Sequence, residues 1–367
     1  MYCLCLIFCL SRFCKAALCQ TSCKKRYTNK FDLINYLDKF LALLIVECNE
    51  LILKCRNKDH QKLMMKLALV KSALGKDEQE FPLLRRINSL SSSNTGIGKA
   101  TALALALRGA RVIVACRSKQ RGEDAAKDIR RESGNDEVVF MQLDLASMKA
   151  IRSFVETFLK TESRLDVLIN NAGKESGRTE DGLGMVFGVN HIGPFLLTNL
   201  LLDRLKECAP SRVVNVSSIG HSMGTIDFNC INTHKRLALG TSNRDIFKIY
   251  CHSKLCNVLF THELAKRLKG MGVTCYSLHP GSVRSELGRD LNGTFMNILK
   301  CISKVLIQTD EMSGAQTTLH CTLQEGIEPL SGRYFSDCKL QDVKAEAKDD
   351  EIARKLWDVS ERLCGMA

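Results

Sequence analysis

From residue 111 onward the chain alternates between short apolar runs and longer helical stretches. Arg111-Val-Ile-Val-Ala115 reads as a strand covered on both faces. The helical stretch Lys119–Glu132 follows, then strand Val138–Gln142, helix Ser147–Lys160 and strand Val167–Ile169. A long helix through residues 190–206 leads to strand Arg212–Val216, and helix Tyr250–Leu268 leads to strand Val273–Leu278. A strand that returns parallel to its predecessor needs a crossover, and a helix is the usual one. The pattern demands an α/β fold, a doubly wound parallel sheet with helices on both faces.

Upstream, Asn94-Thr95-Gly96-Ile97-Gly98 opens a helical segment, Lys99–Arg108, which Gly109 ends. A glycine-rich turn entering a helix presents backbone N–H groups and the positive helix end to a pyrophosphate. The next strand ends at Val114-Ala-Cys-Arg117, where the ribose of a dinucleotide would sit. NAD sites place an acid there, whereas Arg117 and Lys119 suit a 2′-phosphate, so NADP(H) is the expected cofactor. Asp144, in Leu143-Asp-Leu145, either approaches the adenine edge or caps the next helix. Asn170-Asn171-Ala172-Gly173 ends a strand in small residues that let a cofactor approach, though an ordinary turn has the same composition. Ser217-Ser218 ends the following strand and Pro280-Gly281 the last. Ligands of open α/β sheets bind outside the carboxyl ends of the strands, and these motifs all fall there.

Tyr250-Cys-His-Ser-Lys254 carries the chemistry, at the start of the helix beyond Ser218. Residues four apart on a helix share a face. An ammonium beside a phenol stabilises the phenolate, and a group that titrates near ~10 then exchanges protons closer to neutral pH. Carbonyl reduction and alcohol oxidation both require such an acid/base beside the reacting oxygen. A surface pair has the same spacing, so the reading rests on the company these residues keep.

That company is Asn94–Gly98, Asn170–Gly173, Val189-Asn-His191, Val216-Ser-Ser218, Tyr250–Lys254, His279-Pro-Gly281 and Pro329-Leu-Ser-Gly-Arg-Tyr-Phe335. As a set these motifs resemble the short-chain dehydrogenase/reductases, and within them the retinol dehydrogenases, over about three quarters of the chain. The resemblance implies a Rossmann-type fold and a role for each residue. Tyr250 would protonate a carbonyl oxygen or take a hydroxyl proton. Lys254 would lower the tyrosine's pKa and hold the nicotinamide ribose. Ser218 would hydrogen-bond the substrate oxygen, and Asn190 would position a water linking Lys254 to solvent. Asn94–Gly98, Arg117, Lys119, Asp144, Leu145, Asn171, Ala172 and Gly173 would line the dinucleotide. Pro280, Gly281 and Val283 would lie against the nicotinamide, with Ser285 where many relatives have threonine. The reaction would interconvert a lipophilic alcohol and its aldehyde or ketone, retinol and retinal being nearest, and it needs no metal. The apolar segment 286–309 is either a substrate lid or an amphipathic helix packed on the core. His191, His221 and His252 are read as satisfied or exposed histidines with no assigned role.

The first strand departs from the family pattern. By register it is Ile87-Asn-Ser-Leu90, preceded by Arg85-Arg86, and Ser92 replaces the first glycine of the turn. Asn88 and Ser89 are poor choices for a strand covered on both sides, where an unpaired polar group costs ~1–3 kcal/mol. Either this strand is atypical and NADP(H) binds weakly, or it is missing and residues 1–90 are an alternative start on a truncated enzyme. The second leaves a non-catalytic binding or scaffold protein as the alternative function. The expected division is an atypical cysteine-rich segment 1–90, partly helical or disordered, and a dinucleotide-binding domain 91–367.

Sixteen Lys and Arg against eight Asp and Glu in residues 1–90 hold +8 of the net +13. Such a segment could meet anionic lipid, or simply be a solvated basic face. No nucleic-acid-binding module is legible. Eight of the 18 cysteines lie in the first 55 residues, without zinc-finger spacing. Residues 1–10 are apolar but half the length that spans a bilayer. Peripheral membrane contact is therefore expected rather than a span. Family resemblance suggests the endoplasmic reticulum, with the cytoplasm as the alternative. Micromolar NADPH binding by the full chain, read by energy transfer from the single tryptophan Trp357, is the outcome expected of an intact first strand. Its absence is the outcome expected of a missing one.

Overall fold

The computed structural model describes residues 87–91, 94–173, 177–228, 243–281 and 311–366. The basic segment up to residue 86, Ser92, Val283, Ser285 and the apolar segment 286–309 lie outside the described residues. Strand β1 (Ile87–Ser91) is followed by α1 (Gly96–Ala106), β2 (Arg111–Cys116), α2 (Lys119–Ser133), β3 (Val138–Gln142), α3 (Met148–Thr161) and β4 (Val167–Asn170). Next come α4 (Met185–Phe187), a π-helical turn (Gly188–Ile192), α5 (Gly193–Leu200), α6 (Leu202–Glu207), β5 (Ser211–Val216) and a 3₁₀ turn (Ile219–Met223). The chain continues with α7 (Asn243–Arg267), β6 (Val273–His279), α8 (Glu311–Leu323), β7 (Tyr334–Ser336), β8 (Lys339–Gln341) and α9 (Asp350–Leu363).

Among the described residues the strands form one sheet in the order β3-β2-β1-β4-β5-β6-β7-β8, parallel except for the β7–β8 hairpin. The order reverses between β1 and β4, which puts a ligand crevice at their carboxyl ends. The first strand is present in its expected place. Ile87 to Ser91 run opposite Arg111 to Ala115 on one side, and Asn88 to Ser91 run opposite Val167 to Asn170 on the other. A ladder is made of main-chain groups, so a run with poor strand propensity can still be held between two good strands.

Period-two alternation divides the core between the two faces. Ile113, Leu168, Val213 and Cys275 point to the face covered by α3, α5, α7 and α9, where they meet Phe158, Phe195, Leu259 and Trp357. Val112, Val114, Ile169, Val214 and Leu278 point to the other face, under the alanines of α1, with Ile129 of α2 and Leu319 of α8. Phe195 is fully buried, its ring centroid 4.9 Å from Trp357 and 5.2 Å from Phe260.

Two sequence expectations need correction, and one pair of alternatives loses a member. The helix expected through residues 190–206 is divided among the π-helical turn, α5 and α6. Pro194 has no N–H to give, and an inserted residue in the turn ahead of it absorbs the mismatch. Tyr250 does not begin its helix, because α7 starts at Asn243, about two turns earlier. The cap of α3 is Ser147, whose side chain accepts from the Ala150 amide, so Asp144 is not the capping residue.

Phe195→Ala would open a cavity between α5, α7 and α9. The expected cost is about 3–5 kcal/mol, read as a lowered urea midpoint with Trp357 fluorescence as the probe.

Candidate active site

The site lies at the carboxyl end of β5, where α7 passes over the sheet. Tyr250 and Lys254 sit one turn apart on the face of α7 turned toward the sheet, Tyr250 half-buried and Lys254 only 4% exposed. The Lys254 ammonium donates to the carbonyl of Val216, the last residue of β5, at 3.0 Å. It lies 5.7 Å from the centroid of the Tyr250 ring. Burial pushes Lys254 down to about 8, so the group still carries its proton at neutral pH. The Ser217 hydroxyl donates to the Lys254 carbonyl at 2.7 Å, a second tie between the helix and the end of β5.

Ser218 caps the 3₁₀ turn, its hydroxyl accepting from the Gly220 amide at 3.2 Å. A methyl placed on Gly220 would sit 3.5 Å from a Tyr250 ring carbon and 3.6 Å from the Ser218 hydroxyl, so both groups border one small space. The turn is pressed onto α7 at Gly224, where a Cβ would lie 2.4 Å from the Cys251 carbonyl oxygen. His252 Nδ1 accepts from the Thr225 amide at 2.8 Å, and Lys344 donates to the Gly224 carbonyl. Asn190, fully buried in the π-helical turn, donates to the Ser253 hydroxyl at 3.1 Å, and Ser253 donates to the Tyr250 carbonyl at 2.7 Å. Asn190 thus reaches α7 at the residue next to Lys254.

The described residues predicted to meet a dinucleotide lie at the carboxyl ends of the strands, and several share one cleft. Thr95 is extended and makes no side-chain cap, and Gly96 takes φ +58° with open space in front of it. The first amides of α1 are therefore not claimed by a side-chain cap, as a pyrophosphate site needs. Arg117, Asp144, Leu145, Gly173, Met185 and Val189 line an open cleft beside β2, β3 and β4. Asp144 turns one oxygen back to the Ala146 amide at 2.9 Å, which fixes the loop. Arg117 and Lys119 are exposed, Lys119 lying 4.0 Å from Glu123. Asn171 and the buried Ala172 follow β4 directly, while Pro280 and Gly281, the latter at φ +86°, follow β6. The polar Arg117 and Asp144 and the small Gly173 of this cleft fit part of a dinucleotide.

The short chain dehydrogenase family profile matches residues 91–235. Human dehydrogenase/reductase SDR family member 13 is 52% identical over 279 residues, 76% of this chain and 72% of its own. Human retinol dehydrogenase 11 is 51% identical over 280 residues, 76% of this chain and 85% of its own. The chain belongs to the short-chain dehydrogenase/reductase family. It is an oxidoreductase related to the retinol dehydrogenases, in a family that uses nicotinamide dinucleotides. Among solved structures, an uncharacterized protein from Mycobacterium Paratuberculosis superposes with a TM-score of 0.61 at 32% identity, covering 79% of this chain and 98% of that one. An actinorhodin polyketide ketoreductase crystallised with NADPH shares the fold, with a TM-score of 0.54 at 21% identity, covering 69% of this chain and 96% of that one.

Two site neighbours of the dehydrogenase had no assigned role in the sequence reading. His221 donates from Nδ1 to the Ser218 carbonyl at 2.7 Å, and Tyr334 packs its ring against that imidazole. His221 could have been suspected from its place three residues after Ser218. Tyr334 could not, since only the pairing of β7 with β6 brings it near. His252 is satisfied at Nδ1 by Thr225, as expected, whereas His191 lies 2.9 Å from the Ser360 hydroxyl through Nε2 and its buried Nδ1 has no partner among the described residues.

The depressed value of Lys254 has a stability consequence. The folded pKa (about 8) lies below the ordinary 10.5, so the unfolded chain holds the extra proton between the two. Stability should therefore rise with pH across that window, the penalty being full below the lower value and gone above the upper. Compared with Lys254→Met, the wild type should gain on the order of 3 kcal/mol across it, as measured by urea denaturation.

Proposed function

We propose that this dehydrogenase uses NADP(H) to interconvert lipophilic alcohols with their aldehydes or ketones, retinol and retinal being the nearest substrates, with Tyr250 as the acid/base. The observation that carries the proposal is the buried Lys254 ammonium one turn from Tyr250, with the Ser218 hydroxyl bordering the same space. An ammonium has three protons to donate, and Val216 takes one. The other two are available to the ribose hydroxyls of a dinucleotide in the crevice. In reduction, Tyr250 gives its proton to the substrate oxygen, and the nearby positive charge stabilises the phenolate left behind. In oxidation the same phenolate takes the proton back. The Gly220 amide occupies one lone pair of the Ser218 hydroxyl, so the O–H is directed to the substrate oxygen. Asn190, held to Ser253, keeps the π-helical turn against α7 and positions water for the return of the proton to Lys254. The bound dinucleotide supplies or accepts the hydrogen and electron pair exchanged at the substrate carbon.

The lipophilic substrate class is supported by the rim of the site. Ile219 is 63% exposed, Met223 58% and Phe247 43%, and each stands within about one turn of Ser218 or Tyr250. Apolar side chains left in water around a polar centre suit a ligand with one oxygen and a long hydrocarbon body. A protein that draws such a ligand from a bilayer works at the membrane surface, here proposed to be that of the endoplasmic reticulum. Among the described residues no helix is long and apolar enough to cross one. The choice of NADP(H) is supported by Arg117 and Lys119, exposed cations at the end of β2.

Reduction of all-trans-retinal with NADPH should fall by about 10²–10⁴-fold in Tyr250→Phe. A Tyr250→Phe enzyme as active as the wild type would remove the mechanism. Arg117→Ala should raise the KM for NADPH by about tenfold and leave that for NADH little changed, the loss of one charged hydrogen bond.

A further inference from the structure

We propose that His221 is a positioning residue of this site, holding the Ser218 turn through its Nδ1–H with the Tyr334 ring as the wall behind it. The proposal rests on the reading of Ser218 and Tyr250 given above.

The Ser218 carbonyl accepts two bonds from one residue, the His221 main-chain N–H at 3.1 Å and the ring Nδ1 at 2.7 Å. A carbonyl only accepts, so the proton must be on Nδ1. The far end of the turn is fastened by Gly224, by Thr225 on His252 and by Lys344. At the near end, which carries the Ser218 hydroxyl, the 3₁₀ main-chain bonds are short of ideal geometry. The His221 side chain adds a second bond to the Ser218 carbonyl there, beside the main-chain one.

The ring is itself constrained. Its centroid lies 4.5 Å from that of Tyr334, with the planes 52° apart. Tyr334 is buried and stands opposite Ser277 in the β6–β7 ladder. Tyr276, Leu278 and Phe335 point to the face of α1 and α8, which leaves Tyr334 on the face of α7 and of Tyr250. Burial raises the Tyr334 pKa, and a charge on Tyr250 raises it further, so the wall stays a neutral phenol while Tyr250 exchanges its proton. The register of β7 thereby fixes the imidazole, the imidazole fixes the Ser218 carbonyl, and the hydroxyl of the same residue is held with it beside the space it shares with Tyr250. A misplacement of about 1 Å at such a group can cost on the order of 10²-fold in rate.

Two substitutions separate the donor from the ring. His221→Asn keeps an N–H near the position of Nδ1, and His221→Phe keeps a ring against Tyr334 without a donor. In retinal reduction, His221→Phe should lower kcat by about 10- to 100-fold, while its KM for NADPH and its Tm stay close to those of the wild type. His221→Asn should recover most of the lost kcat. An unchanged kcat in His221→Phe overturns the proposal, and so does a His221→Asn enzyme as impaired as His221→Phe. Should His221→Phe fail to fold, Tyr334→Leu takes its place, removing the wall and leaving the donor. A lowered kcat with unchanged KM for NADPH then supports the proposal, and an unchanged kcat overturns it. Tyr250→Phe assayed alongside keeps the two readings apart, because its full activity would bring down the site itself whatever His221 shows.

Discussion

The bond from the Lys254 ammonium to the Val216 carbonyl is the constraint on which the rest of the site depends. It ties the middle of α7 to the end of β5 at a point where water is almost excluded. Burying an ammonium is unfavourable, which is why its pKa falls to about 8, and among the described residues one carbonyl is its hydrogen-bond acceptor. A lysine placed this way lowers stability unless something else also accepts from it. Buried, perturbed groups of this kind cluster at functional sites. Tyr250 is near it because α7 is a helix, and Ser218 is near it because β5 ends two residues earlier.

The sheet supplies the frame. Its two faces are filled by alternate residues of the same strands, and each face is closed by its own helices. The crevice opens where the strand order turns back, between β1 and β4. β1 occupies that central position even though Asn88 and Ser89 are poor strand residues. Its main chain is paired on both sides, and strong neighbours can impose a conformation that local propensity does not favour. The same logic explains Gly224, where any side chain would meet the α7 backbone, and where the Ser218 turn is pressed down onto the helix.

Much of this was legible from local pattern. β2 to β6 fall where largely apolar runs place them, because strands buried on both faces read as near-continuous apolar stretches. The motifs from Asn94, Arg117, Asp144, Asn171, Ser218 and Pro280 all come to the carboxyl edge. What escaped had weak local signals. The break in the 190–206 helix turned on Pro194, and the start of α7 lay in residues with no clear apolar stripe. β7 and β8 are three residues each, too short for a period to show. Asp144 looked able to cap α3, and only the observed bonds show Ser147 taking the cap and Asp144 fixing the loop.

From the amino-acid order alone came the strand–helix alternation, the phosphate-type turn, and a tyrosine and lysine on one helical face. Each depends on residues close together in the chain, where spacing translates directly into geometry. The desolvation of Lys254, the shared space bordered by Ser218 and Tyr250, and the packing of His221 on Tyr334 were decided only when distant strands and helices met. Burial and long-range register are properties of the packed whole, and no local window contains them.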